Sequence, residues 1–266
     1  MADWEEKELT VLVKTYPNLS KKYEELVCVA GVDNEGNWMR IYPVPYRDLR
    51  DDQKFVIFQD VNFACLKASN DPRPESHKVD YDSIVLGEVH KSTGKGLNDR
   101  KIIVDRAFAG SMCDLLEKQR NDKTSLGIIK PLSLIDFIIA PVSGDEKWDS
   151  EVVLRASQNS LFNPDRLPLE EPKYSFKYKY RCANKECATH TQSITSWEIQ
   201  EAYRKWRNDK GEQRALEMIR EKWADQMWGE TKDTHLFVGN HHKNPQGFLV
   251  LGVFWPPQGA IQQQLL

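Results

Sequence analysis

The sequence predicts an α+β fold with a β-rich N-terminal part, residues 1–170, and a smaller C-terminal part, residues 171–266. Short apolar and β-branched runs bounded by turn residues fill the first hundred residues, which is typical of strands. Two helical patterns lie close together in the last third, directly after a segment with two cysteines and a histidine. Between the two parts, residues 143–172 are polar and contain three prolines, as expected of a linker.

The N-terminal part is predicted to contain a series of strands. A hairpin is expected where the turn residues Asp33–Gly36 separate the second strand from the third. Residues 70–76 form a polar loop that two prolines stiffen. The predicted strands are Leu9–Tyr16, Glu25–Val32, Trp38–Tyr42, Asp60–Leu66 and Ser83–Val89.

Helical and strand patterns alternate in the rest of the chain. A helix is predicted within residues 99–120, and Thr195–Glu198 matches a capping box that opens a helix ending near Asn208. A second helix is predicted over Glu212–Trp228 because apolar residues recur on one face. The further predicted strands are Ser133–Val142, Tyr174–Arg181, His235–Gly239 and Gly247–Phe254.

Composition narrows the class of protein. The chain has 266 residues, 40% hydrophobic and 29% charged, which is globular composition. No stretch approaches the eighteen apolar residues of a membrane helix, and the acidic, polar N-terminus is unlike a secretory signal. We therefore expect a cytoplasmic protein with reduced cysteines. A net charge of −3 excludes a uniformly basic nucleic-acid-binding surface but allows a local basic patch.

A metal site is predicted at Cys182, Cys187 and His190. Two thiols and an imidazole within nine residues suit zinc, which takes four tetrahedral ligands. The fourth ligand is expected from Cys113, His235, His241 or His242. A structural role is favoured over a catalytic one because thiolate-rich sites are usually closed. The alternative is two ordinary cysteines and a surface histidine.

The strand before this site alternates aromatic and basic residues. Period two places Lys173, Lys177, Lys179 and Arg181 on one face and four aromatic residues, from Tyr174 to Tyr180, on the other. The basic face is expected to follow a phosphate backbone. The alternative is a strand with its aromatic side chains in the core and its lysines in water.

Arginines and prolines mark a third candidate site in the β-rich part. Arg40 and Arg47 flank an irregular bend, and the loop Asp71–Ser76 combines Asp71, Arg73 and Glu75 with two prolines. Arginine binds phosphate, and a carboxylate can activate water. The alternative is a solvated turn with internal ion pairs.

Two segments carry a family resemblance. Cys28-Val-Ala-Gly-Val-Asp33, followed by Trp38-Met-Arg-Ile-Tyr-Pro-Val44, resembles the start of dual-OB-type domains of bacterial defence systems, although here two residues separate the arginine from the proline. The resemblance covers roughly residues 9–90. It implies oligonucleotide-binding barrels that sense nucleic acid or nucleotides, with Arg40 near the ligand.

These observations favour an enzyme of bacterial antiviral defence that acts on DNA, a hydrolase that excises modified bases as a DNA glycosylase does. Such an enzyme needs a carboxylate, here Asp71 or Glu75, with aromatic side chains to hold the base and basic ones to bind phosphates. The aromatic candidates are Trp38, Tyr42 and Tyr46, and the basic ones are Arg40, Arg47 and Arg73.

Other functions remain open at this stage. A nuclease would use similar residues with Mg²⁺. A non-catalytic sensor, an OB-type barrel stabilised by zinc, explains the basic strand with fewer assumptions. A purely structural or protein-interaction role is the third alternative. DNA is favoured over RNA as the partner, and no membrane association is expected.

Overall fold

The computed structural model describes residues 4–20, 24–144, 147–149, 151, 153 and 169–259. The predicted α+β class is confirmed. Much of the predicted linker, residues 143–172, lies outside the described residues.

The elements follow one another along the chain, and β-strands dominate its first third. The N-terminal strands are β1 (Glu5–Lys14), β2 (Asn18–Ser20), β3 (Glu24–Val32), β4 (Trp38–Val44), β5 (Gln59–Lys67), β6 (Ser76–Val79) and β7 (Val85–Val89). The middle elements are α1 (Lys95–Arg106), β8 (Phe108–Gly110), α2 (Met112–Asp122), β9 (Leu126–Ile129) and β10 (Ser133–Pro141). The last elements are β11 (Tyr174–Arg181), β12 (His190–Ser193), α3 (Trp197–Lys210), α4 (Glu212–Arg220), β13 (His235–His241) and β14 (Asn244–Phe254).

The N-terminal strands close into a barrel of five. Its order is β1-β3-β4-β6-β5, and β5 pairs with β1 again. The β4–β6 pair is parallel and the other four pairs are antiparallel. The predicted OB-like barrel is therefore present. Its interior is filled by alternate residues of the strands, including Leu9, Val11, Val29, Ile41, Val61 and Phe63.

A glycine allows β1 and β3 to approach closely inside this barrel. A Cβ atom at Gly31 would lie 2.1 Å from the backbone oxygen of Thr10. Any side chain larger than hydrogen at this position would therefore force β1 and β3 apart.

The outer face of β1 and β3 is covered by elements that follow the barrel in the chain. Leu12, Ala30 and Val32 pack in one apolar cluster with residues of α1, β9, β13 and β14, among them Phe237 and Leu251. Burial of this face ties the barrel to the rest of the molecule.

The chain from β8 onward forms two sheets around a second core. One sheet has the order β14-β13-β9-β8 and the other the order β10-β11-β12. The core between them and the helices includes Phe137, Tyr178, Ile219 and Trp223. β10 and β11 pair across the domain boundary predicted near residue 170, and that boundary stays a prediction.

The predicted helix at 99–120 is two helices separated by β8. Gly110 has a φ of 94°, and Ser111 then opens α2 with a capping box to Asp114. The capping box predicted at Thr195–Glu198 is wrong in detail, because Ser196 is the N-cap but makes no side-chain cap hydrogen bond. The second predicted helix ends its α-helical part at Arg220 and continues as a π-helical turn to Gln226.

Candidate functional site

Four metal-binding side chains converge beside the second core. The ligand atoms of Cys113, Cys182, Cys187 and His190 all lie within 4.8 Å of one another. The Sγ atom of Cys113 is 3.4 Å from Nε2 of His190. A tetrahedral ion with metal–sulfur bonds of about 2.3 Å needs its sulfur atoms roughly 3.8 Å apart, so the cluster has the size of a metal site.

Three different elements bring these ligands together. Cys113 lies in the first turn of α2, Cys182 directly follows β11, and His190 opens β12. Cys187 lies in the connection between β11 and β12, where Thr189 has a φ of 88°. In this tight connection the chain reverses direction, so that β12 pairs antiparallel with β11. The end of this strand pair that carries the connection lies next to α2.

The chemistry of the four side chains fits zinc. The backbone N–H of Cys182 donates to Sγ of Cys187 at 3.4 Å. Burial opposes ionisation of Cys187, but the hydrogen bonds to its sulfur outweigh it and lower the pKa of this thiol. Burial raises the pKa of Cys113 to about 12, so its ionisation depends on a cation. Burial lowers the pKa of His190, which keeps its imidazole neutral, the form that binds metal.

The aromatic and the basic residues of β11 lie on opposite faces of the strand, as its period of two requires. Phe176, Tyr178 and Tyr180 are fully buried in the second core. The Tyr178 hydroxyl donates to the Trp223 carbonyl and the Tyr180 hydroxyl to Gln192 Oε1, so neither ring is available for stacking on a base.

On the opposite face of β11, Lys177 and Lys179 are half-buried and Arg181 is exposed. In the register with β10, Lys179 lies opposite the exposed Asp136. The predicted basic face therefore exists, and the Asp136 carboxylate lies at its edge. Its contact with nucleic acid stays a prediction.

A second polar cluster, which we call the Ser125 cluster, comprises Arg40, Glu75, Ser76 and Ser125. All four residues are buried, with Arg40 only 2% exposed and Ser125 0%. Nη1 of Arg40 donates to Ser125 Oγ at 2.8 Å, and this hydroxyl donates to Glu75 Oε2 at 2.6 Å. Glu75 Oε1 also accepts the backbone N–H of Ser125 at 2.8 Å. The cluster thus links two residues of the barrel region, Arg40 and Glu75, to the residue that precedes β9.

The other members of the predicted loop lie nearer the surface. Arg73 binds both carboxylate oxygens of Asp71 and donates to the Asn240 carbonyl at 3.0 Å. Burial opposes ionisation of Asp71, but the Arg73 guanidinium outweighs it and holds the pKa of this carboxyl well below its usual range. Nδ1 of His242 lies 3.5 Å from Asp71. The turn between β13 and β14 therefore meets the predicted loop.

The remaining predicted residues are dispersed. Arg47 forms an ion pair with Glu25 at 2.9 Å, and Tyr46 donates to the Phe55 carbonyl at 2.5 Å. Tyr42 is 41% exposed, whereas Trp38 packs against the cluster that joins the barrel to the C-terminal part. The structure therefore brings Arg40, Glu75, Asp71 and Arg73 into one region but not Tyr46 and Arg47.

The role of Ser125 is not visible in the sequence. A serine in a polar turn carries no signal of its own, since its role depends on two charged partners 50 and 85 residues away. Cys113 was one of four candidates for the fourth metal ligand, and only the packing of α2 against β12 selects it.

Fold and site together define an α+β protein with a closed five-stranded barrel and a Cys₃His cluster that can hold a metal ion. The chain belongs to the family described as "Domain of unknown function (DUF8757)", whose family model matches residues 107–266. A second family model, "Domain of unknown function (DUF8758)", matches residues 5–106, the segment that contains the barrel.

No curated protein matches the chain. Among solved structures, the chain is similar to one titled "Structure of murine DNA binding protein bound with ds DNA", with 8% identity and a TM-score of 0.33. That match covers 95% of this chain and 94% of the murine chain. A TM-score this low does not establish a shared fold. Among the described helices, none is both long enough and apolar enough to cross a bilayer.

Proposed function

We propose that the protein binds nucleic acid through the outward face of β11, with zinc fixing the end of that strand. The observation that carries the proposal is the row Lys177, Lys179 and Arg181, which faces away from the core and runs directly into Cys182. Cationic side chains at alternate positions of one strand suit a phosphate backbone. Because the side chains of Tyr178 and Tyr180 point into the core and are buried, bases cannot stack on them, and binding through the basic face should depend little on base sequence.

Zinc contributes to this function by holding a surface in place. Cys182, Cys187 and His190 hold the β11–β12 connection, and Cys113 attaches it to α2. A structural zinc ion stabilises the fold when bound and needs no open coordination position. Its loss would release the end of β11 that carries Arg181.

Nucleic-acid binding is tested by the salt dependence of affinity. Replacing Lys177, Lys179 and Arg181 with alanine should weaken binding to all duplex sequences alike. It should also reduce the slope of log K against log salt by about 0.9 for each phosphate that the variant no longer binds. The matched control replaces three exposed cations elsewhere, Lys118, Arg120 and Lys205.

A variant that removes a negative charge from the same face provides a second test. Asp136→Asn removes the carboxylate that lies opposite Lys179 in the register. If phosphates contact this face, the variant should bind more tightly than the wild type, because a repulsive charge has gone. An unchanged slope in the triple variant together with unchanged affinity of Asp136→Asn would refute the proposal.

The finer proposal is that the nucleic acid is DNA and that the protein excises modified bases in bacterial antiviral defence. It is supported by the resemblance of the N-terminal motifs and by Asp71, which stays ionised beside His242 and reaches the surface more than Glu75 does. Glu75 is bound by Ser125, so activity through it would require those bonds to open. The alternative, a non-catalytic zinc-stabilised sensor, is favoured by the fact that protein groups already bind both carboxylates.

Strand breaks distinguish these two functions. DNA with modified bases is incubated with the protein and then treated with alkali, which cleaves at abasic sites. If Asp71 activates water, Asp71→Asn should lower the rate at least about 100-fold while binding survives. Glu75→Gln is compared with Ser125→Ala, which disturbs the same cluster but keeps the carboxylate. A mobility shift without breaks would favour the sensor.

A further inference from the structure

Two apolar side chains stand in solvent at the end of the basic face of β11. Leu132 is 64% exposed, the largest value among the large hydrophobic residues that the structure describes, and Ile135 is 47% exposed. The N–H of Leu132 donates to the Arg181 carbonyl at 2.8 Å, so this residue directly adjoins the end of β11. Single exposed apolar side chains are ordinary on protein surfaces, but these two lie beside an exposed arginine. We call Leu132 and Ile135 the apolar pair.

A β-bulge in β10 accounts for the exposure of Ile135. The register of β10 with β11 shifts between Leu134 and Asp136, which leaves Ile135 as an extra residue. Residues three positions apart in a regular strand point to opposite faces, yet Leu134 and Phe137 both pack in the second core. The bulge makes this possible, and it leaves Ile135 and Asp136 both exposed.

The backbone that carries Leu132 is held on both sides. The N–H of Lys130 donates to the Gly110 carbonyl at 3.1 Å, and the N–H of Leu132 is bound to β11 as described. Pro131, between them, is buried. The apolar side chain therefore projects from a preorganised segment, and little backbone freedom is lost when a ligand covers it.

The polar groups around the apolar pair suit a phosphate backbone. Arg181 is exposed and Lys179 is half-buried, and among the residues that the structure describes neither forms an ion pair. Ser133 lies opposite Arg181 and Thr191 opposite Lys179, so an exposed hydroxyl residue stands beside each cation. The Asp136 carboxylate at the edge offsets part of this charge but leaves it positive. Cations and hydroxyls are the groups that bind phosphates in duplexes.

We propose that the apolar pair inserts at a base step of a duplex whose stacking is interrupted, while the basic face of β11 contacts the flanking phosphates. This inference rests on the nucleic-acid binding proposed above and names the preferred ligand. Apolar wedges such as Leu and Ile unstack neighbouring base pairs and kink the duplex. Unstacking costs least where the stack is already broken or flexible. The pair offers no hydrogen bonds to base edges, so it recognises a distorted shape and not a sequence.

The test compares two duplexes of the same sequence, one intact and one with a single-nucleotide gap, each with 2-aminopurine at the same position beside the gap site. The wild type should bind the gapped duplex roughly tenfold more tightly, which is the scale of burying one leucine side chain. The fluorescence of 2-aminopurine in the gapped duplex should rise on binding, because the base loses its stacking. Each titration is repeated at several salt concentrations, so that phosphate contacts are measured separately.

Three variants assign the preference to the apolar pair. The double variant Leu132→Ala, Ile135→Ala should lose both the preference and the fluorescence rise, and it should keep the salt slope and, within about twofold, the wild-type affinity for intact duplex. Leu132→Met keeps an apolar side chain of similar volume and should retain the preference. The matched control is Ile102→Ala, since Ile102 is 45% exposed on α1, and this variant should behave as the wild type.

The outcomes separate this inference from the function proposed for β11. Equal affinity of the wild type for the two duplexes, or a preference that survives in the double variant, overturns the inference and leaves binding through β11 in place. Failure of the wild type to bind either duplex overturns both proposals. Sedimentation velocity of the free proteins tests another occupant. If the wild type self-associates and the double variant does not, the apolar pair is an interface between two copies of the chain, and the inference is overturned.

Discussion

Removal of the Ser125 hydroxyl should destabilise the protein far more than its small size suggests. Its oxygen accepts from the Arg40 guanidinium at 2.8 Å and donates to the Glu75 carboxylate at 2.6 Å, in a fully buried position. Hydrogen bonds to charged groups contribute about 1.5–3 kcal/mol each. Arg40 keeps the Ser125 carbonyl at 3.3 Å and Glu75 keeps the Ser125 N–H, so part of the charge stays satisfied. We therefore expect Ser125→Ala to lower the free energy of unfolding by about 3 kcal/mol.

The assay is urea denaturation followed by fluorescence and circular dichroism, with the midpoint and slope fitted together. The matched control is Thr124→Ala, since Thr124 is the neighbouring hydroxyl residue and bonds only at the surface, to Asp122. That variant should cost less than about 1 kcal/mol. Both substitutions remove one hydroxyl from the same turn, so the difference between them isolates burial and charge.

A double-mutant cycle tests whether the hydroxyl acts through its charged partner. Ser125→Ala should cost about 1–2 kcal/mol less in a Glu75→Gln background, because the carboxylate that the hydroxyl satisfies has gone. If Ser125→Ala changes stability by no more than Thr124→Ala does, or if the two substitutions are additive, then the cluster does not link the barrel to β9 in the way we describe.

Further predictions concern the metal, a carboxylate and the barrel. Purified protein should carry about one zinc ion per chain by elemental analysis. Cys113→Ser should lower the zinc content, and it should lower the free energy of unfolding by several kcal/mol. Wild-type protein that contains no zinc when it is purified without a chelator would contradict this prediction. Because Arg73 depresses the pKa of Asp71, stability should fall as the pH drops below about 4, and less so in Asp71→Asn, as acid titration will measure. Gly31→Ala should lower the free energy of unfolding, measured by urea denaturation, by at least about 1–3 kcal/mol. Gly229→Ala is the control and should change it little, because a Cβ atom at Gly229 would make only ordinary van der Waals contacts.

Most of the secondary structure and the local part of the metal cluster could be predicted from the amino-acid sequence. The strands β1, β3 and β4 were predictable because alternation and turn residues act over a few positions. Cys182, Cys187 and His190 were predictable for the same reason, since one short connection carries all three. The strand β11 was predicted with its observed bounds because period two is strict along it.

Other elements escaped prediction because their stability comes from partners distant in sequence. The strands β2, β6, β9 and β12 have three or four residues each, too few to show a period, and they exist because longer strands pair with them. The single helix predicted at 99–120 became two, because the pairing of β8 with β9 outweighs the helical pattern between them.

Which side chains meet at the candidate sites depends on how the elements pack in three dimensions. Cys113 joins His190 from 77 positions away, and Ser125 joins Arg40 from 85. Arg40 was predicted near a ligand from its neighbours in sequence, yet closure of the barrel and its packing against β9 and β13 place it in a buried cluster. Local propensity acts over a few residues, whereas burial and charge pairing act through space, so a sequence pattern specifies an element but not what lies opposite it.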